Sequence, residues 1–278
     1  MIAEPDAPPT PAPPPAGQYE MVQRAPCPRL DGIVSRITGY REVAVGHFRQ
    51  VEAASLVVPL VINFSGSFAI GLGRAPGDNE RFGSFAAGLF AGPVVIDSFG
   101  TASCVQIDFT PLGARRFFRM PMTELTDRMV TLDDVLGADG LALRERLANE
   151  RDWHRRLNLA ERFVEARIAA APPTKPEVAW AYGNLLSSGG RMPVAAIARN
   201  IGWSRKHLAG RFAAETGVGP KTFARIVRFN RALTLSQAGT DGWAGIAAEC
   251  GYSDQAHLAR EFREMAGATP ASWQAQIA

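Results

Sequence analysis

Apolar residues recur along this chain with two different periods. Between about residues 18 and 135 they come as short, β-branched runs, EVAVGHF, SLVVPLVINF, SFAIGLG, GPVVIDSF and SCVQIDF, set apart by Gly, Pro and Ser. Runs of this length bounded by turn formers predict the strands of a small antiparallel barrel or sandwich. From PLGARRFFRMPMTELTD onward the spacing becomes helical: Leu141, Leu143, Leu147, Leu157, Leu159, Phe163, Val164 and Ile168 recur among charged residues to about 170. That pattern predicts two antiparallel helices behind the barrel, a plausible dimer or interdomain surface. The last hundred residues keep helical spacing throughout.

Within that last stretch the chain repeats itself. IARNIGWSRKHLAGRFAAETG at 197–217 returns as IAAECGYSDQAHLAREFREMAG at 246–267. Ile197 aligns with Ile246, Gly202 with Gly251, Trp203 with Tyr252, Ser204 with Ser253, Leu208 with Leu258 and Phe212 with Phe262. In the first copy Val194, Ile197, Ala198 and Ile201 make the apolar stripe of a short helix, Gly202 supplies the left-handed stop, and Ser204 caps a second helix over about 204–215. In the second copy Gly251 marks the turn and Ser253 or Asp254 the cap. A duplicated helix, tight turn, helix unit is a DNA-reading device, because the second helix of each unit fits a major groove. Between the copies, Pro220 to Gln237 predicts one continuous helix holding the two readers on successive major grooves, roughly 34 Å apart.

The outward side chains follow from that geometry. Recognition helices contact base edges near their N-termini, which selects Arg205 and Lys206 in the first unit and Gln255 and Arg260 in the second. Arg263 flanks the second unit and is expected at a phosphate, together with Ser204, His207, Ser253 and His257 at the helix starts. Arg225, Arg228 and Arg231 on the connecting helix are expected at the DNA backbone.

Charge sharpens the division. The chain carries a net +3, but residues 1–170 hold 18 Lys and Arg against 20 Asp and Glu, whereas 171–278 hold 12 against 7. The basic excess sits on the repeat, the footprint of a nucleic-acid binder joined to a non-binder. Three separate cysteines, Cys27, Cys104 and Cys250, form no zinc motif, and point to a reduced, cytoplasmic setting. A thiol sensor at Cys104 is one alternative. No apolar run reaches the ~18 residues of a membrane span, so no membrane partner is expected. The opening MIAEPDAPPTPAPPPAG lacks the basic start and apolar core of a signal peptide and reads as a stiff, solvated tail.

RMPVAAIARNIGWSRKHLAGRFAAETGVGP, RFNRAL and IAAECGYSDQAHLAREFREMAGATPASW together resemble the DNA-binding domain of AraC/XylS-type bacterial transcription regulators. The resemblance covers about the last hundred residues. It implies seven helices with a long connecting helix between two helix-turn-helix units, binding to double-stranded promoter DNA, and activation through RNA polymerase. The family's base-reading slots fall on Lys206, Ala209 and Gly210, and on Gln255, Ala256 and Arg260. Ala209, Gly210 and Ala256 offer no hydrogen-bonding side chain, so readout by the first unit rests on Arg205, Lys206 and Arg211.

The first half is similar to this family's sensor, a cupin-like barrel followed by helices, and DFTPLGARRFFRMPMTELTDRMVTLDDVLG is similar to an uncharacterised subgroup. The resulting fold class is α+β with two domains: a tail (1–17), a sensor and dimerisation domain (18–170) with a cupin-like antiparallel β-barrel and following helices, a proline-rich linker (171–177) and an all-α DNA-binding domain (178–278). Cupin metals need several His or Glu ligands. His47 is the only histidine before His154, so neither metal nor cofactor is expected. A barrel rich in Phe64, Phe68, Phe82, Phe85, Phe90, Phe99 and Phe109 suits a small apolar or aromatic effector, with His47, Arg49, Asn63 and Phe64 as candidate contacts; the phenylalanines equally suit a plain core. An enzyme or a protein-interaction module with an accessory helical domain are the competing classes. The first lacks any Ser/His/Asp or Cys-based catalytic set, since two of the four histidines lie in the recognition helices.

Overall fold

The computed structural model describes residues 19–43, 46–238 and 242–277. The proline-rich opening lies outside the described residues. The N-terminal half runs β1 (Tyr19–Arg24), β2 (Val34–Glu42), β3 (Phe48–Glu52), β4 (Val58–Ser65), β5 (Phe68–Leu72), β6 (Arg81–Phe82), β7 (Phe85–Ala87), β8 (Val94–Ser98), β9 (Ser103–Phe109), α1 (Pro111–Phe118), β10 (Met129–Thr131), α2 (Leu132–Asn149) and α3 (Trp153–Ala169). Seven helices follow among the described residues: α4 (Pro176–Ser187), α5 (Val194–Asn200), α6 (Arg205–Thr216), α7 (Pro220–Ala238), α8 (Trp243–Glu249), α9 (Gln255–Ala266) and α10 (Pro270–Ile277).

The strands form two antiparallel sheets, ordered β1-β2-β9-β4-β7-β10 and β3-β8-β5-β6. Side chains alternate across the larger sheet, as the twofold strand period requires. Ile37, Leu60, Ile62, Val105, Ile107 and Phe109 face the helices and share one core with Leu143, Leu147, Leu157 and Val164 of α2 and α3. The intervening Arg36, Thr38, Pro59, Val61, Gln106 and Asp108 face the smaller sheet across a cavity. This alternation explains two departures from the sequence reading. Strand β2 is polar on one face and shows no continuous apolar run. EVAVGHF, which looks like a strand, instead spans the end of β2 and the approach to β3, with 44–45 outside the described residues.

The hydrophobic core does not stop at residue 170. Phe109 stacks on Phe117 of α1 at 4.6 Å, and the same cluster continues through Met122 and Leu125 to Leu208, Phe212 and Phe223. Helix α6 is therefore seated against α1 and the short turn Met122–Glu124. A second core holds Phe229, Leu233, Ile246, Leu258, Phe262 and Met265 together with Ala54, which lies between β3 and β4.

Candidate DNA interface and effector cavity

Both helix-turn-helix units are built the same way. Gly202 and Gly251 take positive φ of 70° and 79°, where a Cβ is unfavourable. After them the chain turns back, with Trp203 N donating to Ala198 O and Tyr252 N to Ala247 O, each at 2.9 Å. Ser204 Oγ then accepts from His207 N at 3.1 Å, and Asp254 Oδ1 from His257 N at 2.7 Å. Asp254, not Ser253, is thus the second cap. The aromatic residue of each turn meets the histidine of the next helix edge-on, Trp203 with His207 at 4.5 Å and Tyr252 with His257 at 5.2 Å, so both imidazoles are held beside their helix starts.

The structure leaves the expected base readers uncommitted. Arg205, Lys206 and Arg211 on α6, and Gln255 and Arg260 on α9, are exposed, as are Ser204, His207, Ser253 and Arg263, while His257 is half-buried. The opposite ends of the same helices are occupied. Thr126 Oγ1 donates to Gly217 O at 2.8 Å and Arg115 lies 3.7 Å from Glu215, tying the end of α6 to the N-terminal half. Ala54 N donates to Met265 O at 2.8 Å, tying down the end of α9. The recognition helices are anchored at their C-termini and open at their N-termini.

The arginines of α7, expected at the DNA backbone, each have partners within the protein. Arg225 pairs with Glu261 at 2.6 Å and with Glu264 of α9. Arg228 donates to Gly190 O at 3.1 Å and lies over the Tyr252 ring, and Arg231 pairs with Glu249 at 2.8 Å. Both units pack on α7, so these three arginines bond to protein groups and act as struts between them. Nearby, Arg191, Lys221, Arg228, His257 and Arg260 line a basic groove of about 560 Å³ between α7, α9 and the approach to α5. Arg191 and Lys221 are exposed; charge counts and helical spacing had not singled them out, because only the fold brings the segment before α5 beside α9.

In the N-terminal half the two sheets enclose a cavity of about 530 Å³ walled by Val61, Phe68, Ile70, Phe85, Val94 and Ile96. Its polar groups come from the cavity-facing positions of β2, β3 and β9. Arg36 places Nε and Nη2 on Asp108 Oδ2 at 3.0 and 2.9 Å, and Gln106 donates to Oδ1 at 2.7 Å. Tyr40 faces the same space, and its phenol is pushed well above its ordinary value, first by burial and then by the charge of Glu42. Of the four residues expected at an effector, His47 and Arg49 stand at the cavity and both pair with Asp97, at 3.3 and 2.7 Å. Arg49, then His47, holds the Asp97 carboxyl below its usual range. Asn63 and Phe64 do not line it. Asn63 is spent on the β4–β5 turn, donating to Gly66 O and accepting from Ser65 N and Ser103 N, and Phe64 packs under the Arg156 guanidinium. Phe48, missed by the sequence reading, does line it, along with Phe90.

The three thiols are poor nucleophiles. Burial pushes Cys104 up to about 12 and Cys250 to about 11, and a bond to Glu165 raises Cys27; a thiolate sensor at Cys104 has no physical support. No group of three His, Cys, Asp or Glu among the described residues is arranged to hold a metal, and no described helix is long and apolar enough to cross a membrane.

Two capped bihelical units with open N-termini, fused to a double-sheet domain enclosing a cavity, define a DNA-binding regulator. Residues 190–276 match the helix-turn-helix domain family, and residues 22–131 match a domain family of unknown function, DUF6597. The C-terminal domain is thus a helix-turn-helix domain of the AraC type. Among solved structures the chain is similar to ToxT from Vibrio cholerae, at 10% identity over 93% of this chain and 98% of that one with a TM-score of 0.47. A ToxT structure with bound unsaturated fatty acid matches at 8% identity over 99% and 97% of the two chains with a TM-score of 0.39. The AraC-like transcriptional activator CuxR matches at 16% identity over 79% and 87% with a TM-score of 0.28. A comparison with curated proteins found no match.

Proposed function

We propose that this protein is a ligand-responsive transcription activator whose two recognition helices read successive major grooves of promoter DNA. Arg205, Lys206 and Arg211 on α6 and Gln255 and Arg260 on α9 contact bases; Ser204, His207, Ser253, His257 and Arg263 contact phosphates. The observation that carries the reading is the shared polarity of α6 and α9, each exposed at its capped start and docked on the sensor half at its end. Helix α7, with 19 residues, is about 28 Å long at ~1.5 Å per residue, close to the spacing of successive grooves. Residues 18–170 serve as sensor, 171–177 as linker and 178–278 as reader, and Arg228 and Arg231 reach phosphate only by exchanging their internal partners.

The cavity supplies the response. Its wall includes Ala53, Ala54 and Ser55 and, from the other half, Leu233 of α7, so an occupant touches the segment on which α9 is anchored. Recruitment of RNA polymerase and a homodimer through the α2–α3 hairpin complete the reading, by family resemblance. Selection of bound sequences from a random DNA pool tests it: two short blocks about one helical turn apart are expected, with log affinity falling against log salt at about −0.9 per neutralised phosphate. Failure of both the full chain and residues 171–278 to enrich any sequence would overturn it.

A further inference from the structure

Glu52 closes β3 at the cavity wall, where the cation that acts on it, Arg36, is itself engaged by Asp108. The Glu52 carboxylate accepts a hydrogen bond from Gln50 at 3.2 Å but, among the described residues, forms no ion pair. The other charged groups of the cavity and its rim have partners: Arg36 is held on Asp108, Arg49 and His47 on Asp97, and Arg128 lies 3.9 Å from Glu124. Glu52 is half-buried and lines the cavity. Burial pushes its carboxyl up to about 7, the neighbouring Asp108 adds to this, and Arg36 opposes it. A carboxyl removed from water without a counter-ion keeps its proton.

We infer that the cavity binds an amphipathic organic cation, a protonated amine on an apolar body, with the ammonium group against Glu52. The inference rests on the reading of this cavity as an effector site and names the class of effector. About 530 Å³ suits a small molecule with a mostly apolar surface and few polar anchors. A cation restores the charge balance that Glu52 lacks. An anion would instead meet the carboxyls of Glu52 and the buried Asp108, while the guanidiniums that line the cavity, Arg36, Arg49 and Arg128, are already engaged by Asp108, Asp97 and Glu124. Glu52 is also two residues from Ala54, whose N–H and C=O are held by Met265 of α9 and Asn230 of α7. A ligand seated on Glu52 therefore bears on the segment that docks the second reader.

Titration calorimetry of the full chain at pH 8 with n-octylammonium, n-octanol and n-octanoate tests this. Octylammonium is expected to bind at least about tenfold tighter than octanol, with octanoate weakest, and Glu52→Gln is expected to erase the advantage. Near pH 7, octylammonium uptake by the wild type is expected to expel protons, read from the heat in buffers of different ionisation enthalpy; this arm needs no variant to fold. Octanoate equal to or tighter than octylammonium, binding without proton release, or no binding of any probe would each overturn the cation site. DNA affinity measured in parallel separates the two readings. Octanoate that binds and shifts DNA affinity leaves the effector reading standing and sinks the cation; octylammonium that binds without any shift keeps the cation site and sinks ligand response.

Discussion

Asn230, midway along α7, donates its side-chain amide to the backbone carbonyl of Ala54 at 2.7 Å, across 176 positions of sequence. The bond is buried and joins the helix between the two helix-turn-helix units to the segment that walls the cavity of the N-terminal half. With Ala54 N on Met265 O at 2.8 Å, both polar groups of one peptide-bonded residue are used between the two halves. A shift of that residue in response to an occupant is felt by α7 and α9 together, which gives the proposed coupling a physical path.

Asn230→Ala leaves the Ala54 carbonyl without its partner. The expected loss is about 1–3 kcal/mol, the usual cost of an unsatisfied buried group, read from urea unfolding. A loss below about 0.5 kcal/mol would show that water or a neighbour replaces the amide.

The turn glycines can be tested against a helical one. Gly202 has φ of 70° and open space around its Cβ position, so Gly202→Ala should cost about 1–2 kcal/mol from backbone conformation alone. Gly210 also faces open space, but within α6, so Gly210→Ala should stabilise the fold by about 0.5–1 kcal/mol. Thermal unfolding that moves both variants in the same direction would contradict this account.

Reading of bases by α9 is expected to depend on Arg260. Arg260→Ala should weaken specific binding by about 1–3 kcal/mol and relax preference at one base pair, whereas Arg263→Ala should weaken binding to all sequences alike and reduce the salt slope by about one. Fluorescence anisotropy on the selected site and on single-base variants distinguishes the two patterns.

Stability should respond to pH through Glu52. Its carboxyl is raised in the fold from 4.5 to about 7, so as pH rises past 4.5 the unfolded chain loses the proton first and the fold is progressively disfavoured, until pH passes about 7. Glu52→Gln, which never ionises, should raise the melting temperature at pH 8 and leave it nearly unchanged at pH 4. An equal gain at both values would point to packing, not charge.

Cys104 and Cys250 are buried, with thiols raised to about 12 and 11. In the native protein at pH 8 neither should take up iodoacetamide, while both should react in denaturant. Mass spectrometry of the labelled peptides reads the outcome directly.

The DNA-reading half was legible in the sequence because its elements are local. Gly202 and Gly251 mark turns, Ser204 and Asp254 mark helix starts, and Leu208 with Phe212 and Leu258 with Phe262 mark buried faces, all within one or two helical turns of each other. Strand β2 was hidden because its cavity-facing residues are polar, and the cavity is what makes that polarity useful. Asn63 looked available for a ligand from its place in a strand; its amide instead closes the adjacent turn, a partner choice that spacing does not show.

By itself the sequence determined the repeat, the caps and turns, the placement of basic charge and the alternation of the strands, since each depends on side chains a few positions apart. Tertiary structure decided which arginines stay exposed and which brace α7 against its neighbours, that Glu52 lines the cavity without an ion pair, and that Ala54 is clasped by Asn230 and Met265. Those outcomes depend on which distant segments pack together, and burial, pairing and charge balance at a site are properties of that packing.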